Sequence, residues 1–185
     1  MNRKTFIPLI LCLVVINLGC QKENISLDEK TQVENVSSLE MARGATQIDG
    51  IAYYDPADAC NQAAAGLGAT YAIYMTGDLV GCWYIFADEY ECSPSGTYRE
   101  IGREYFVGTY KGQTGSFWTT YKFEARYEGC SPDGSYIGAE IFGRCQHPIV
   151  NGSGAGVFAG ATGRIDMKDD IEAGNYPYRG HIKFP

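Results

Sequence analysis

From residue 50 onward, apolar and polar positions alternate in short runs broken by glycine, and the 3.6-residue repeat of an amphipathic helix is nearly absent. That pattern predicts strands. The clearest run is 117–127, where Phe117, Thr119, Tyr121, Phe123, Ala125 and Tyr127 share one face and Lys122, Glu124 and Arg126 the other. Successive side chains of a strand point to opposite faces, so one side of this strand meets a core and the other meets water. Similar runs predict strands over 71–79, 81–86, 98–110, 136–145, 163–168 and 178–184. Seven or eight such strands at short spacing mean a barrel or a sandwich. One stretch departs from the pattern: 56–66, rich in alanine and preceded by Asp55 as a cap, predicts a short helix.

An internal echo supports hairpins. Cys92-Ser93-Pro94-Ser95-Gly96-Thr97-Tyr98 recurs as Cys130-Ser131-Pro132-Asp133-Gly134-Ser135-Tyr136. Proline presets φ for a tight turn and the glycine takes the positive φ that follows. Two turns that enter alternate strands of a meander lie at the same end of the sheet, which brings Cys92 to Cys130. Among the other cysteines the expectation is Cys82 bridged to Cys145 with Cys60 free. Cys145 and His147, at i and i+2 on one strand face, are the one pair with metal-ligand chemistry, but with His181 the only other histidine no second ligand pair completes a site. The sequence calls for no metal and no cofactor.

The first twenty residues follow a different logic. Asn2-Arg3-Lys4 precedes an apolar run, 6–16, that closes on Leu18-Gly19-Cys20. The run is too short to cross a hydrocarbon layer of ~30 Å, and it resembles a bacterial lipoprotein signal: residues 1–19 are removed and Cys20 carries the lipid. Two acyl groups on one residue suffice for stable anchoring. Residues 20–48 follow as an acidic tether, charged and polar with no aromatic residue; such a segment buries too little apolar surface to offset its ordering entropy. Its opening Gln21-Lys22-Glu23 resembles the surface-export signal of Bacteroidota lipoproteins, although Asn24 departs from it. The expected location is the bacterial outer membrane, on its periplasmic or its cell-surface side. With a formal charge of −7, more negative once Arg3 and Lys4 leave with the signal, the chain has no attraction for nucleic acid or anionic headgroups. The expected partners are the bilayer, through Cys20, and a small hydrophobic ligand or a partner protein.

The segment 152–165, Gly-Ser-Gly-Ala-Gly-Val-Phe-Ala-Gly-Ala-Thr-Gly-Arg-Ile, lacks the Gly-Lys-Ser/Thr ending of a phosphate loop, and no helical pattern follows it. It resembles the segment of allene oxide cyclases and dirigent proteins in which a Gly-x-Gly turn and a Phe lead into a late barrel strand. Asp166-Met167-Lys168-Asp169-Asp170 and Tyr178-Arg179-Gly180-His181 are similar to bacterial members of that group. The resemblance implies an all-β chain whose residues 49–185 form an antiparallel eight-stranded calycin-like barrel, in a group that contains cyclases and stereochemistry-directing proteins. No catalytic motif of that group matches here, and the glycines read as a barrel corner before they read as a ligand contact.

Candidate chemistry rests on polar groups that share an inward face. Glu104 shares its face with Tyr98, Gly102, Phe106 and Tyr110; Glu140 shares its face with Tyr136, Gly138, Phe142 and Arg144. A carboxylate among aromatics is desolvated and suited to general acid–base work, so Glu104 and Glu140 are the catalytic candidates. At least one of them is expected to be buried near a tyrosine hydroxyl or Arg144. The plainer alternative is an outer-surface ion pair, Glu140 with Arg144 or Glu104 with Arg126. Tyr74, Tyr121 and Arg144 are the candidate ligand contacts. Two functions remain: a non-catalytic lipoprotein that holds a small hydrophobic ligand or a partner, which the sequence favours, and a cyclase or isomerase acting on a small apolar substrate in the lumen. A cavity of several hundred Å³ with a buried carboxylate argues for chemistry; a lumen filled by side chains argues for a scaffold.

Overall fold

The computed structural model describes residues 44–185; the expected signal peptide, Cys20 as the expected lipidation site and most of the expected tether lie outside the described residues. Nine strands and one helix follow: β1 (Thr46–Tyr53), α1 (Ala59–Leu67), β2 (Tyr71–Gly77), β3 (Leu79–Cys92), β4 (Thr97–Tyr110), β5 (Gln113–Cys130), β6 (Tyr136–Pro148), β7 (Ala155–Gly156), β8 (Thr162–Lys168) and β9 (Tyr176–Lys183). The sheet order is β4-β3-β2-β1-β9-β8-β6-β5, and β5 pairs back onto β4. This is a closed, all-antiparallel barrel of eight strands, and closure removes the sheet edges. Two-residue β7 only pairs to β5 near its start, at Gly115 and Ser116.

The alternation in 117–127 holds: Phe117, Thr119, Tyr121, Ala125 and Tyr127 are buried and Phe123 packs against the core. The helix begins later than its composition suggests. Asp58, not Asp55, caps it by accepting from the Asn61 N–H at 2.8 Å, while Asp55 holds the Ala57 N–H in the preceding turn. The first strand, hidden under a tether-like composition, starts at Thr46, and its register runs from Thr46↔Ile182 to Ala52↔Tyr176.

The helix packs outside the barrel, where Cys60 and Ala64 cover Ala72 and Tyr84, with Cys82 and Tyr105 alongside. This arrangement overturns one expected bridge. Cys82 faces outward beneath α1 and pairs with Cys60, 22 residues away, whereas Cys145 faces the lumen and is, among the described residues, the free, buried thiol. Opposite faces of a wall cannot be joined by one S–S bond. The bridge between Cys92 and Cys130 is present, with Cα atoms 5.6 Å apart. Both flanking turns close as expected, with Gly96 and Gly134 at φ 84° and 88° and their N–H groups donated to the Ser93 and Ser131 carbonyls.

The barrel has two unlike ends. At one, the glycine-rich segment folds Phe158 back into the lumen against Phe106, Phe117, Tyr110 and Phe184. Phe106, Phe117, Phe158 and Trp83 are all fully buried there. The glycines serve a corner that plugs the barrel. At the other end, where the two Cys-Ser-Pro turns sit, the lumen opens.

Candidate functional site

The open end is a cup of about 550 Å³. Its rim carries Tyr54, Tyr71, Tyr98, Tyr127, Tyr136 and Tyr176, and its walls carry Glu100, Glu104, Glu140, Asp169, Tyr121, Cys145 and His147. Each polar wall residue comes from strand alternation. On β4, Tyr98, Glu100, Gly102 and Glu104 follow one another down the inner face; on β6, Cys145 and His147 do the same.

Deepest is Glu104, 3 % exposed, held at one oxygen, Oε2, by two groups. Thr119 Oγ1 donates to it at 2.6 Å, and His147 Nδ1 lies 2.6 Å from it. His147 is itself 3 % exposed, with Trp83 edge-on to its ring at 5.4 Å and Tyr121 stacked at 6.4 Å. With Glu104 ionised, both contacts are donors, so Nδ1 carries a hydrogen, and in the neutral ring Nε2 then keeps a lone pair. That Nε2 is buried and has no hydrogen-bond partner among the described residues.

On one wall Glu100 receives two phenols, Tyr121 at 2.6 Å and Tyr98 at 2.7 Å. Burial, followed by the bond to Glu100, pushes both phenols far above their ordinary range. On the other wall Glu140 and Asp169 meet over Gly143, where a Cβ would collide with both carboxyls. Asp169 lies just past β8, fixed by its N–H to the Gly143 carbonyl at 2.9 Å. Burial, then the hydrogen bond and charge of Glu140, push its carboxyl up to about 8. Tyr127 donates to Glu140 Oε2 at 3.3 Å, while Glu140 Oε1 is buried without a donor. Two carboxylates this close share one proton near neutrality. Cys145, between the two clusters, has its thiol pushed far up by burial and then by the charge of Glu104, which leaves it a poor nucleophile.

Among the sequence-predicted residues, Glu104, Glu140 and Tyr121 come together in the cup, and four expectations fail. Arg144 points outward and its guanidinium meets Glu124 at 2.9 Å. Phe142 is 42 % exposed. Both follow from irregular pairing on β6: Arg126 pairs with Phe142 but Tyr127 with Glu140, so an extra residue, Ile141, flips the faces between Glu140 and Gly143. The expected outer ion pairs, Glu140 with Arg144 and Glu104 with Arg126, do not form, because both acids face the lumen. Tyr74, 38 % exposed, lies between the inward-facing Ile73 and Met75 and points away from the cup. Sequence reasoning missed Glu100, which the same i, i+2 rule on β4 exposes, and Asp169, whose position past a strand end carries no such signal. It weighed His147 only as a metal ligand. Among the described residues no group of three or more His, Cys, Asp or Glu side chains is placed to hold a metal ion, and no helix is long and apolar enough to cross a membrane. No protein-family model matches the chain, and no curated protein or solved structure matches it.

Proposed function

We propose that the chain is a lipid-anchored barrel that binds a small organic molecule in its cup and moves a proton on it, an isomerase- or cyclase-type reaction carried by His147 and Glu104. The observation that supports this is the unpartnered Nε2 of a buried histidine whose other nitrogen is fixed by a buried carboxylate. An orphaned polar atom in a packed interior costs free energy unless something uses it. In the proposed step Nε2 takes a proton from a carbon of the bound molecule. Glu104, held by Thr119, stabilises the imidazolium, whose Nε2–H exchanges with water through the open cup, and a proton then returns from Nε2 to a different carbon, restoring the neutral ring. The paired tyrosines on Glu100 keep their protons and act as a fixed polar wall.

The test is isotopic. Native mass spectrometry of the purified protein identifies a co-purified molecule; incubating that molecule with protein in D₂O should give it deuterium, and His147→Ala should reduce the rate by at least roughly a hundredfold, the upper part of what acid–base groups contribute being larger still. A bound molecule that never exchanges supports a second reading, a non-catalytic carrier. The inert Cys145 thiol is the observation in favour of that reading.

The anchor rests on Leu18-Gly19-Cys20 behind a charged start and a short apolar run. Cys20→Ala should move the protein from the outer-membrane fraction to the soluble one, and an unchanged membrane fraction would refute lipidation.

A further inference from the structure

We infer that the cup selects an organic cation, its ammonium or quaternary ammonium group seated against Glu140 and Asp169 beneath the tyrosine rim and its apolar body reaching down toward His147. This rests on the reading of the cup as a small-molecule site and adds the class of molecule.

The charge of the lining comes first. Four carboxyl groups face the cup, Glu100, Glu104, Glu140 and Asp169, and no lysine or arginine does. Such a lining repels carboxylates and phosphates and concentrates cations. The four acids are not equivalent. Glu100 is satisfied by two phenols and Glu104 by Thr119 and His147. The pair over Gly143 has one outside donor, Tyr127 on Glu140 Oε2, and among the described residues nothing but Asp169 itself faces the buried Glu140 Oε1. Two carboxyls forced together require a proton or a cation between them.

The surroundings suit a cation more than a proton alone. Tyr127 and Tyr136 stack at 4.1 Å beside Glu140, and Tyr176 and Tyr54 line the same side of the rim. Aromatic rings attract ammonium groups through their electron-rich faces, more strongly where water is excluded. An independent feature of the same cavity sets the length of the ligand. His147 lies four residues beyond Gly143 along β6, which at ~3.3 Å per residue sets their backbones about 13 Å apart along the strand. The molecule that fills both stations is therefore elongated, charged at one end and reactive near the other.

Cation binding must displace the shared proton. The titratable groups that face the pair are Tyr127 from β5, Tyr136 and Cys145 from β6, Tyr176 from β9 and Tyr54 from the loop after β1. The phenols of Tyr127 and Tyr176 and the Cys145 thiol are all raised by burial, so these three keep their protons across the neutral range.

Isothermal titration of the full chain in a nonionic detergent, with benzyltrimethylammonium, 2-phenylethanol and 3-phenylpropanoate as probes, tests the inference. The permanent cation should bind at least roughly tenfold more tightly than the alcohol, the carboxylate should not bind, and cation affinity should rise by roughly fiftyfold between about pH 6 and about pH 8 as one proton, held by Asp169 up to about 8, is released. Asp169→Asn should remove that rise and most of the cation preference. The wild-type comparison alone decides the matter if the variant does not fold. Equal affinity for cation and alcohol, or binding of the carboxylate, overturns the cation inference and leaves the cup as a small-molecule site; no binding by any probe, together with no co-purified molecule, overturns both.

Discussion

The two ends of the barrel are built from the same alternating strands and differ in what the alternation delivers inward. At the plugged end β4 and β5 send Phe106 and Phe117 into the lumen and the glycine-rich corner adds Phe158, each fully buried. At the open end the same two strands send Glu100, Tyr98, Tyr121 and Tyr127. One end is an apolar core that exists to be full; the other is a polar cup in which buried groups lack partners. The plug supplies the stability against which the cup can hold carboxyls crowded against one another, as proteins do at sites kept for function.

The largest expected effect tests the plug. Phe158→Ala should destabilise the protein by about 3–5 kcal/mol, measured by denaturant unfolding, through lost burial and a residual cavity. Ligand binding in the cup should be unchanged under conditions where the variant remains folded; a loss there would show that the two ends are not separable. Next is the staple across the mouth. Replacing Cys92 and Cys130 by serine removes a bridge that closes a 38-residue separation and should cost about 3–4 kcal/mol in the chain-entropy model. Unlike the plug variant it should also weaken binding, because it frees the rim turns.

Within the cup, Glu104→Gln should cost about 1–3 kcal/mol, since one hydrogen-bonded charge is exchanged for an amide facing His147, and should slow deuterium exchange into the ligand far more than stability alone explains. The acid pair gives a signed pH effect. Folded Asp169 holds its proton up to about 8, while the unfolded chain releases it near 3.9. Between those values the folded state binds more protons, so this group's contribution is intact at low pH and stability is lost as pH rises through the window. Asp169→Asn should flatten that slope in a thermal-melt series and be the more stable protein at about pH 8. The smallest effect belongs outside the wall: Arg144→Ala breaks the exposed ion pair with Glu124 and should change stability by at most about 1 kcal/mol, with the cup unaffected.

Much of this was legible from alternation alone. The period of two assigned the inner faces of β4 and β5, and with them Glu104 and Tyr121, while the repeated Cys-Ser-Pro turns located one disulfide. What failed did so for local reasons. The extra residue on β6 inverts a face, which no strict period reports, and so Arg144 and Phe142 were expected inside. The Cys60–Cys82 bridge depends on a helix docking on the outer wall, a tertiary choice that cysteine spacing does not encode. Glu140 was found, but its partner was not, because Asp169 acts from beyond a strand end and meets Glu140 only where Gly143 leaves room.

The pairing of β1 with β9 has a consequence in time. The seam that closes the barrel joins Thr46 to Ile182 and Ala52 to Tyr176, the first and last strands of the described chain. A chain that emerges N-terminus first can form the β2–β6 meander early from neighbouring hairpins, but the seam waits for β9, because long loops must close before their contacts repay the entropy. Phe184, which stacks on Tyr110 in the plug, arrives with that same last strand. Sealing the cylinder and stopping its base are thus one late event, and until it happens β1 has an unpaired edge open to any neighbouring strand.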